Sequence, residues 1–179
     1  MSKQSAPGAV ARPSSMPPEA FLEAFGGVYE HSSWIAESVL AGGLDARADT
    51  PEGLAALMAE VLAAAPESRK LALLRAHPDL AGKLALAGEM TASSRNEQTS
   101  AGLDRCSPQE LARFQALNGE YTGKFGFPFI IAVRGLDRAG ILKAFEHRVG
   151  NPREVELAEA LLQVNKIAHL RLVEWFAAR

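Results

Sequence analysis

From Pro18 onward the apolar positions of the chain recur at three- and four-residue spacing, in runs broken by proline and glycine. This is the period of helices that bury one stripe, not of strands that alternate. Pro18 stands where an N1 proline would, Phe21, Leu22 and Phe25 follow at helical spacing, and Gly26-Gly27 stops the run. The next helix carries Trp34, Ile35, Ser38 and Val39 and ends at Gly42-Gly43. Thr50-Pro51 opens a third, whose stripe is Leu54, Leu57, Met58, Val61 and Leu62. Pro66 begins a fourth with Leu71, Leu73 and Leu74. That helix is predicted to end at His77, because a residue before proline is biased out of the α region. An imidazole is therefore expected at a helix terminus.

Two later starts are more explicit. Ser107-Pro108-Gln109-Glu110 has a capping serine, an N1 proline and a glutamate at N3, the signature of a capping box. Asn151-Pro152-Arg153-Glu154 repeats the logic before the last helix, which the pattern carries to about residue 177, a length of roughly 40 Å. Its predicted stripe is Leu157, Leu161, Val164, Ala168, Leu172 and Trp175. Arg171 falls roughly 60° from the stripe centre, where an arginine hides its stem and still presents its guanidinium. Only Lys124 to Arg134, KFGFPFIIAVR, lacks the helical period, and it is expected as an extended buried segment between helices.

The expected fold class is all-α: a single compact helical domain over residues 18–179 with about eight to ten helices and one extended non-helical segment. Residues 1–17, rich in Ser, Pro and Ala, carry Lys3 and Arg12 with no acid and show no period. They are expected to form a disordered tail.

Composition narrows the function. The 179 residues suit one domain, and 47% hydrophobic against 22% charged is enough to close a core. Nineteen basic residues against 21 acidic leave a net charge of −2, which argues against general nucleic-acid binding. The single cysteine, Cys106, excludes an internal disulfide and any zinc site built on several thiolates. No uninterrupted apolar run, Phe129 to Val133 included, is long enough to span a membrane. A secretory h-region is missing and the chain ends in Ala177-Ala178-Arg179, unlike a peroxisomal Ser-Lys-Leu address, so a cytoplasmic location is expected.

Among the four histidines, His31 and His147 stand beside glutamates that would hydrogen-bond them, and His169 lies roughly 100° off the last helix's stripe. His77 differs, because a helix C-terminus favours the imidazolium form and so suits a proton donor. Position alone leaves its catalytic and structural readings open. The stretch Ser93 to Gln98 is dense in donors and acceptors, and Ser94 with Glu97 has the spacing of a capping box. The same helix start would offer free N–H groups to an anionic ligand, so both readings stand. HExxH, Walker, dinucleotide GxGxxG and GxSxG motifs are absent from the sequence. An enzyme on this chain is expected to work with protons and positioned charges, without cofactor or metal.

Five segments, in order, resemble one family: FGGVYEHSSWIAE (Phe25 to Glu37), RAHPDLAGK (Arg75 to Lys83), SSRNEQTSAGL (Ser93 to Leu103), LNGEYTGKFGFPFIIAVRG (Leu117 to Gly135) and NKIAHLRL (Asn165 to Leu172). Together they resemble 2-oxo-4-hydroxy-4-carboxy-5-ureidoimidazoline (OHCU) decarboxylases over nearly everything except the first seventeen residues. The resemblance implies a cofactor-independent, all-helical, usually homodimeric enzyme that converts OHCU to (S)-allantoin and carbon dioxide during urate degradation. It places the catalytic histidine of the His-Pro motif on His77, beside Pro78. It puts the Ser-x-x-Glu-Gln motif on Ser94, Glu97 and Gln98, with Arg95 and Asn96 between them. Its substrate-lining backbone falls on Phe129, Ile130, Ile131, Ala132 and Val133, and its last-helix arginine on Arg171, with Arg148 as competitor. His77, Glu97 and Arg171 are thus the expected catalytic residues and the others the substrate-binding ones. The alternatives are a decarboxylase of a related ureido acid, or a helical ligand-binding or interaction module in which Ser94, Glu97 and Gln98 only cap a helix.

Overall fold

The computed structural model describes residues 12–82 and 90–179. Among these residues are eight α-helices and three short 3-10 turns, with no strand, as the periodicity predicts. No helix there is long and apolar enough to cross a membrane. In chain order the helices are α1 (Pro18–Phe25), α2 (Trp34–Gly42), α3 (Pro51–Ala64), α4 (Glu67–Arg75), α5 (Ala92–Ser100), α6 (Pro108–Phe125), α7 (Arg138–Arg148) and α8 (Arg153–Ala177). Contacts gather them into two units. Residues up to Ala65 and from Ala168 to Arg179 form the first, and Pro66–Ile167 the second. Helix α8 contributes to both.

In the first unit, α1, α2 and α3 pack in sequence order. Pro18 opens α1, and Thr50 caps α3 by accepting the Gly53 N–H at 3.1 Å. The stripe residues Phe21, Phe25, Ile35, Leu54, Met58 and Leu62 are all at most 1% exposed. Fully burying such a side chain stabilises a fold by about 1.5–3 kcal/mol, so this stripe is what holds the three helices together. Residues 1–11 of the expected tail, and Lys83 of the Arg75 to Lys83 motif, lie outside the described residues. Residues 12–17 are described and structured: Pro13 is buried in a 3-10 turn, and the N–H and hydroxyl of Ser14 both donate to Asp49, at 2.9 and 2.7 Å.

The second unit is built on α6. Its N-terminus is the capping box expected at Ser107 and Glu110, with both reciprocal bonds present. Its buried face runs Phe114, Leu117, Asn118, Tyr121 and Phe125. The Tyr121 ring meets those of Phe125, Phe127, Phe129 and Phe145 at centroid distances of 4.5–6.0 Å. Three expectations are corrected. Lys124 and Phe125 belong to α6, because the helix stops only at Gly126, whose φ of 78° is the left-handed C-cap that glycine adopts freely. The cap of α5 is Thr91, which accepts the Ser94 N–H at 3.3 Å, so Ser94 lies inside the helix. On α8, Leu157 and Leu161 are only half-buried, whereas Glu156, Ala160 and Val164 are buried. The helix is turned to bring Glu156 onto a buried arginine.

Candidate active site

His77 sits two residues beyond α4, its N–H donating to the Leu74 carbonyl at 3.2 Å. The proline that follows prevents helix continuation, so the chain turns into the loop His77-Pro78-Asp79-Leu80-Ala81-Gly82. Two buried amides hold that loop. Gln98 of α5, 6% exposed, accepts the Ala81 N–H at 3.0 Å and donates to the Asp79 carbonyl at 3.2 Å. Asn118 of α6, 8% exposed, donates to the Leu80 carbonyl at 2.9 Å. Ala81 is held at φ 50°, a conformation non-glycine residues avoid and one that persists only where surrounding contacts over-determine it. Gly82 has no room for a side chain, since a Cβ there would lie 2.5 Å from the Asp79 Cβ. The loop carrying His77 is therefore a built turn.

Arg75, at the end of α4, donates to the Gly126 carbonyl at 2.8 Å and ties the helix to the start of the Phe-Gly-Phe-Pro run. Between them lies a cavity of about 290 Å³, with His77, Pro78 and Asp79 on one side and Thr122, Gly126, Phe127 and Pro128 on the other. Burial pushes the Asp79 carboxyl up from its ordinary range. Among the described residues, no three His, Cys, Asp or Glu side chains gather as a metal site would need.

Helix α5 has two different faces. Ser94 and Gln98 are buried and Glu97 is half-buried, all within about one helical turn, and Gln98 bonds the His77 loop. Arg95 and Asn96 are exposed, and Arg95 donates to the Met90 carbonyl at 3.1 Å. Helical spacing puts Ser94, Glu97 and Gln98 on one face, and Arg95 lines a cavity of about 410 Å³ together with Ala81, Gln98 and Thr99. Gln98 spends both ends of its amide on backbone.

Residues 128–133 run without turn or bend. Phe129, Ile130, Ala132 and Val133 are buried and Ile131 is half-buried, as expected for the extended segment. Arg148 holds it: its Nη1 donates to the Ile130 carbonyl at 2.8 Å, and its guanidinium lies 4.4 Å from the centre of the Phe129 ring. The rest of that guanidinium grips Glu156, 0% exposed, through Nε at 2.7 Å and Nη2 at 2.5 Å. Tyr121 and Asn151 also donate to Glu156, at 2.5 and 3.0 Å. Arg148 is thereby committed to the protein's own groups. Farther along the segment, the Ala132 N–H donates to the side-chain oxygen of Gln163 at 2.9 Å.

Arg171 belongs to the first unit. Its Nη1 donates to the Val28 carbonyl at 3.2 Å and pairs with Glu30 at 3.1 Å, both side chains being under 10% exposed. Sequence reasoning offered Glu30 only as a neighbour of His31, and it passed over Asn118, Glu156 and Gln163 entirely. Asn118 and Glu156 did leave a signal: each is a polar residue in the register of an otherwise apolar helix face. Nothing local marks Gln163.

Taken by class, this is an all-α fold that holds a histidine on a clamped loop beside a pinned extended segment, an arrangement suited to proton transfer on a small polar ligand. The sequence pattern of the OHCU decarboxylase family matches residues 14–173. A 2-oxo-4-hydroxy-4-carboxy-5-ureidoimidazoline decarboxylase of Halalkalicoccus jeotgali is 43% identical over 156 residues, covering 87% of this chain and 85% of that protein. The crystal structure of (S)-allantoin synthase superimposes with a TM-score of 0.71 at 34% identity, over 90% of this chain and about half (52%) of that one. The crystal structure of OHCU decarboxylase in the presence of (S)-allantoin does so with a TM-score of 0.67 at 26% identity, over 84% and 95%. The chain belongs to the OHCU decarboxylase family.

Proposed function

We propose that this protein decarboxylates OHCU to (S)-allantoin and carbon dioxide, a step of urate degradation. The observation that supports it best is His77 on a loop clamped by Gln98 and Asn118, lining a cavity with the start of the extended segment. Loss of carbon dioxide breaks the bond to the carboxyl carbon and leaves its electron pair on the ring. The pair spreads into the adjoining carbonyl or imine as an enolate-like intermediate. The hydroxyl then gives up its proton as it becomes a carbonyl, and the neighbouring carbon takes one.

Catalysis requires donors aimed where charge develops, since holding the departing carboxylate equally in ground and transition states does not raise turnover. In this reading Arg171 and backbone N–H groups of residues 129–133 bind ring and ureido oxygens. Glu97 orients the substrate's N–H and O–H donors, Ser94 and Pro78 line the site, and Gln98 acts through the loop it holds. His77 transfers the proton, and delivery from one face yields a single enantiomer. The protein works in this reading as a cytoplasmic homodimer. Sedimentation velocity tests the dimer, and a monomer at micromolar concentration would refute it.

The activity is tested by making OHCU from urate with urate oxidase and hydroxyisourate hydrolase, then following allantoin by circular dichroism. Wild type gives a rapid dextrorotatory signal, while His77→Ala stays folded and loses about 10²- to 10⁴-fold, the usual worth of a positioned acid-base residue. A folded wild type no faster than buffer refutes the decarboxylase reading.

A further inference from the structure

Connections between helices ordinarily run over the surface, because their backbone polar groups need water. The connection from α1 to α2 does not. Val28, Tyr29, Glu30 and Ser32 are each at most 8% exposed, and within residues 28–32 only His31 is exposed. His31 takes a φ of 49°, a left-handed conformation that side-chain-bearing residues avoid and that persists only where surrounding contacts over-determine it. The Ser32 N–H donates to the Tyr29 carbonyl at 3.0 Å, and the Ser32 hydroxyl donates to the Glu30 carbonyl at 3.1 Å. The turn closes around His31 and keeps its two neighbours, Glu30 and Ser32, inside.

Arg171 of α8 meets this turn through one nitrogen. Nη1 carries two hydrogens, and the turn presents two acceptors to it: the Val28 carbonyl at 3.2 Å and the Glu30 carboxylate at 3.1 Å. A guanidinium is a rigid plane. With its stem rooted on α8 and one nitrogen held by two acceptors of a single turn, that plane is fixed. The Glu30 side chain is 2% exposed and that of Arg171 9%, so water competes little for either. A buried ion pair is weak evidence for a stabilising role, since apolar side chains of similar volume often hold the same elements as well. Direction is what apolar side chains cannot supply.

We infer that Glu30 is a positioning residue for Arg171: the strained turn Val28–Ser32 sets the plane of the guanidinium before substrate arrives. The inference rests on the decarboxylase reading, in which Arg171 binds substrate oxygens, and names the residue that aims it.

The test is a double-mutant cycle on the full chain, with OHCU turnover followed by circular dichroism and unfolding measured in parallel. Glu30→Met should lower kcat about 10²-fold, the order of one misplaced transition-state donor, with KM changed less than about 3-fold. Glu30→Gln keeps an oxygen for Nη1 and loses the charge that holds it, and should lower kcat about 3- to 10-fold. Arg171→Lys keeps the cation beside Glu30 and removes the plane. In that background either Glu30 substitution should change kcat less than about 2-fold, because nothing remains to be aimed. A Glu30 acting only through charge or packing would slow both backgrounds by the same factor. Where Glu30→Met does not fold, Glu30→Gln carries the cycle. Equal losses in the two backgrounds, or wild-type kcat in both Glu30 variants, overturn the inference. Full turnover in Arg171→Lys removes the arginine from the mechanism and the inference with it, while the decarboxylase reading stands. Wild-type protein no faster than buffer overturns that reading itself.

Discussion

The side-chain oxygen of Gln98 accepts the N–H of Ala81 at 3.0 Å while the same amide donates to the Asp79 carbonyl at 3.2 Å, so one side chain spans Leu80 and closes the loop that begins at His77. Asn118 reaches the Leu80 carbonyl between those two contacts. The loop that carries the histidine is thus held by residues 17 and 38 positions from the backbone groups they bind.

Removing either clamp leaves buried backbone groups unsatisfied, at about 1–3 kcal/mol each. Gln98→Met and Asn118→Leu should each lower stability by about that much in urea unfolding and reduce kcat by about 10-fold or more, since small displacements of a positioned acid or base carry such costs. Because both act on one loop, the double variant should cost less than the sum, with a coupling of about 0.5–3 kcal/mol. Strict additivity would show that the two amides hold the loop independently.

The two buried arginines should fail differently. Arg148→Met leaves Glu156 buried without its cation and should cost about 3–5 kcal/mol, read as a drop in thermal midpoint of roughly 2–4 °C per kcal/mol. Arg171→Lys keeps a cation beside Glu30, so stability should fall by about 1 kcal/mol. Turnover should fall on the order of 10²-fold, because an ammonium cannot reproduce a two-pronged planar contact. Full turnover in Arg171→Lys would remove that residue from the mechanism.

Asp79 gives a pH dependence whose sign follows from burial. Its folded carboxyl is raised above its unfolded value, so the fold binds the proton more tightly than the unfolded chain does. The associated stability is full below the unfolded carboxylate value and is lost as pH rises through the folded one. Asp79→Asn cannot ionise, so the midpoint of wild type relative to this variant should decline across that acid window and level off above it. Parallel profiles would show that the carboxyl is as well solvated folded as unfolded.

A control on purely local design is Ser107→Ala. It deletes the capping side chain that accepts the Glu110 N–H at 3.1 Å and should cost about 1 kcal/mol. kcat should be unchanged, since the residue touches no part of the site. A kcat loss comparable to that of Gln98→Met would show that α6 transmits its N-terminal disturbance to Asn118.

What could be read along the chain was whatever neighbouring residues decide. Pro18, Thr50-Pro51 and Ser107 with Glu110 start helices because caps and N1 prolines act within one turn, and the structure has all three starts. The His77-Pro78 step ends α4 for an equally local steric reason. The reading slipped where two local signals competed. Thr91 and Ser94 could each cap α5, and the chain uses Thr91, which leaves Ser94 buried.

By itself, then, the sequence determined the all-α class, most helix starts, the position of His77 at a helix end and the extended run after Gly126. Only the tertiary structure decided what holds those parts. Gln98 and Asn118 turned out to grip backbone, Arg148 to be bound by Glu156 and Ile130, and Arg171 to meet Glu30 across 141 positions of chain. The reason is physical. A cap or a proline acts over a few residues and leaves its mark in spacing. A buried hydrogen bond between distant segments depends on which faces the packed helices turn toward each other, and an isolated amide or arginine looks the same along the chain whichever partner it meets.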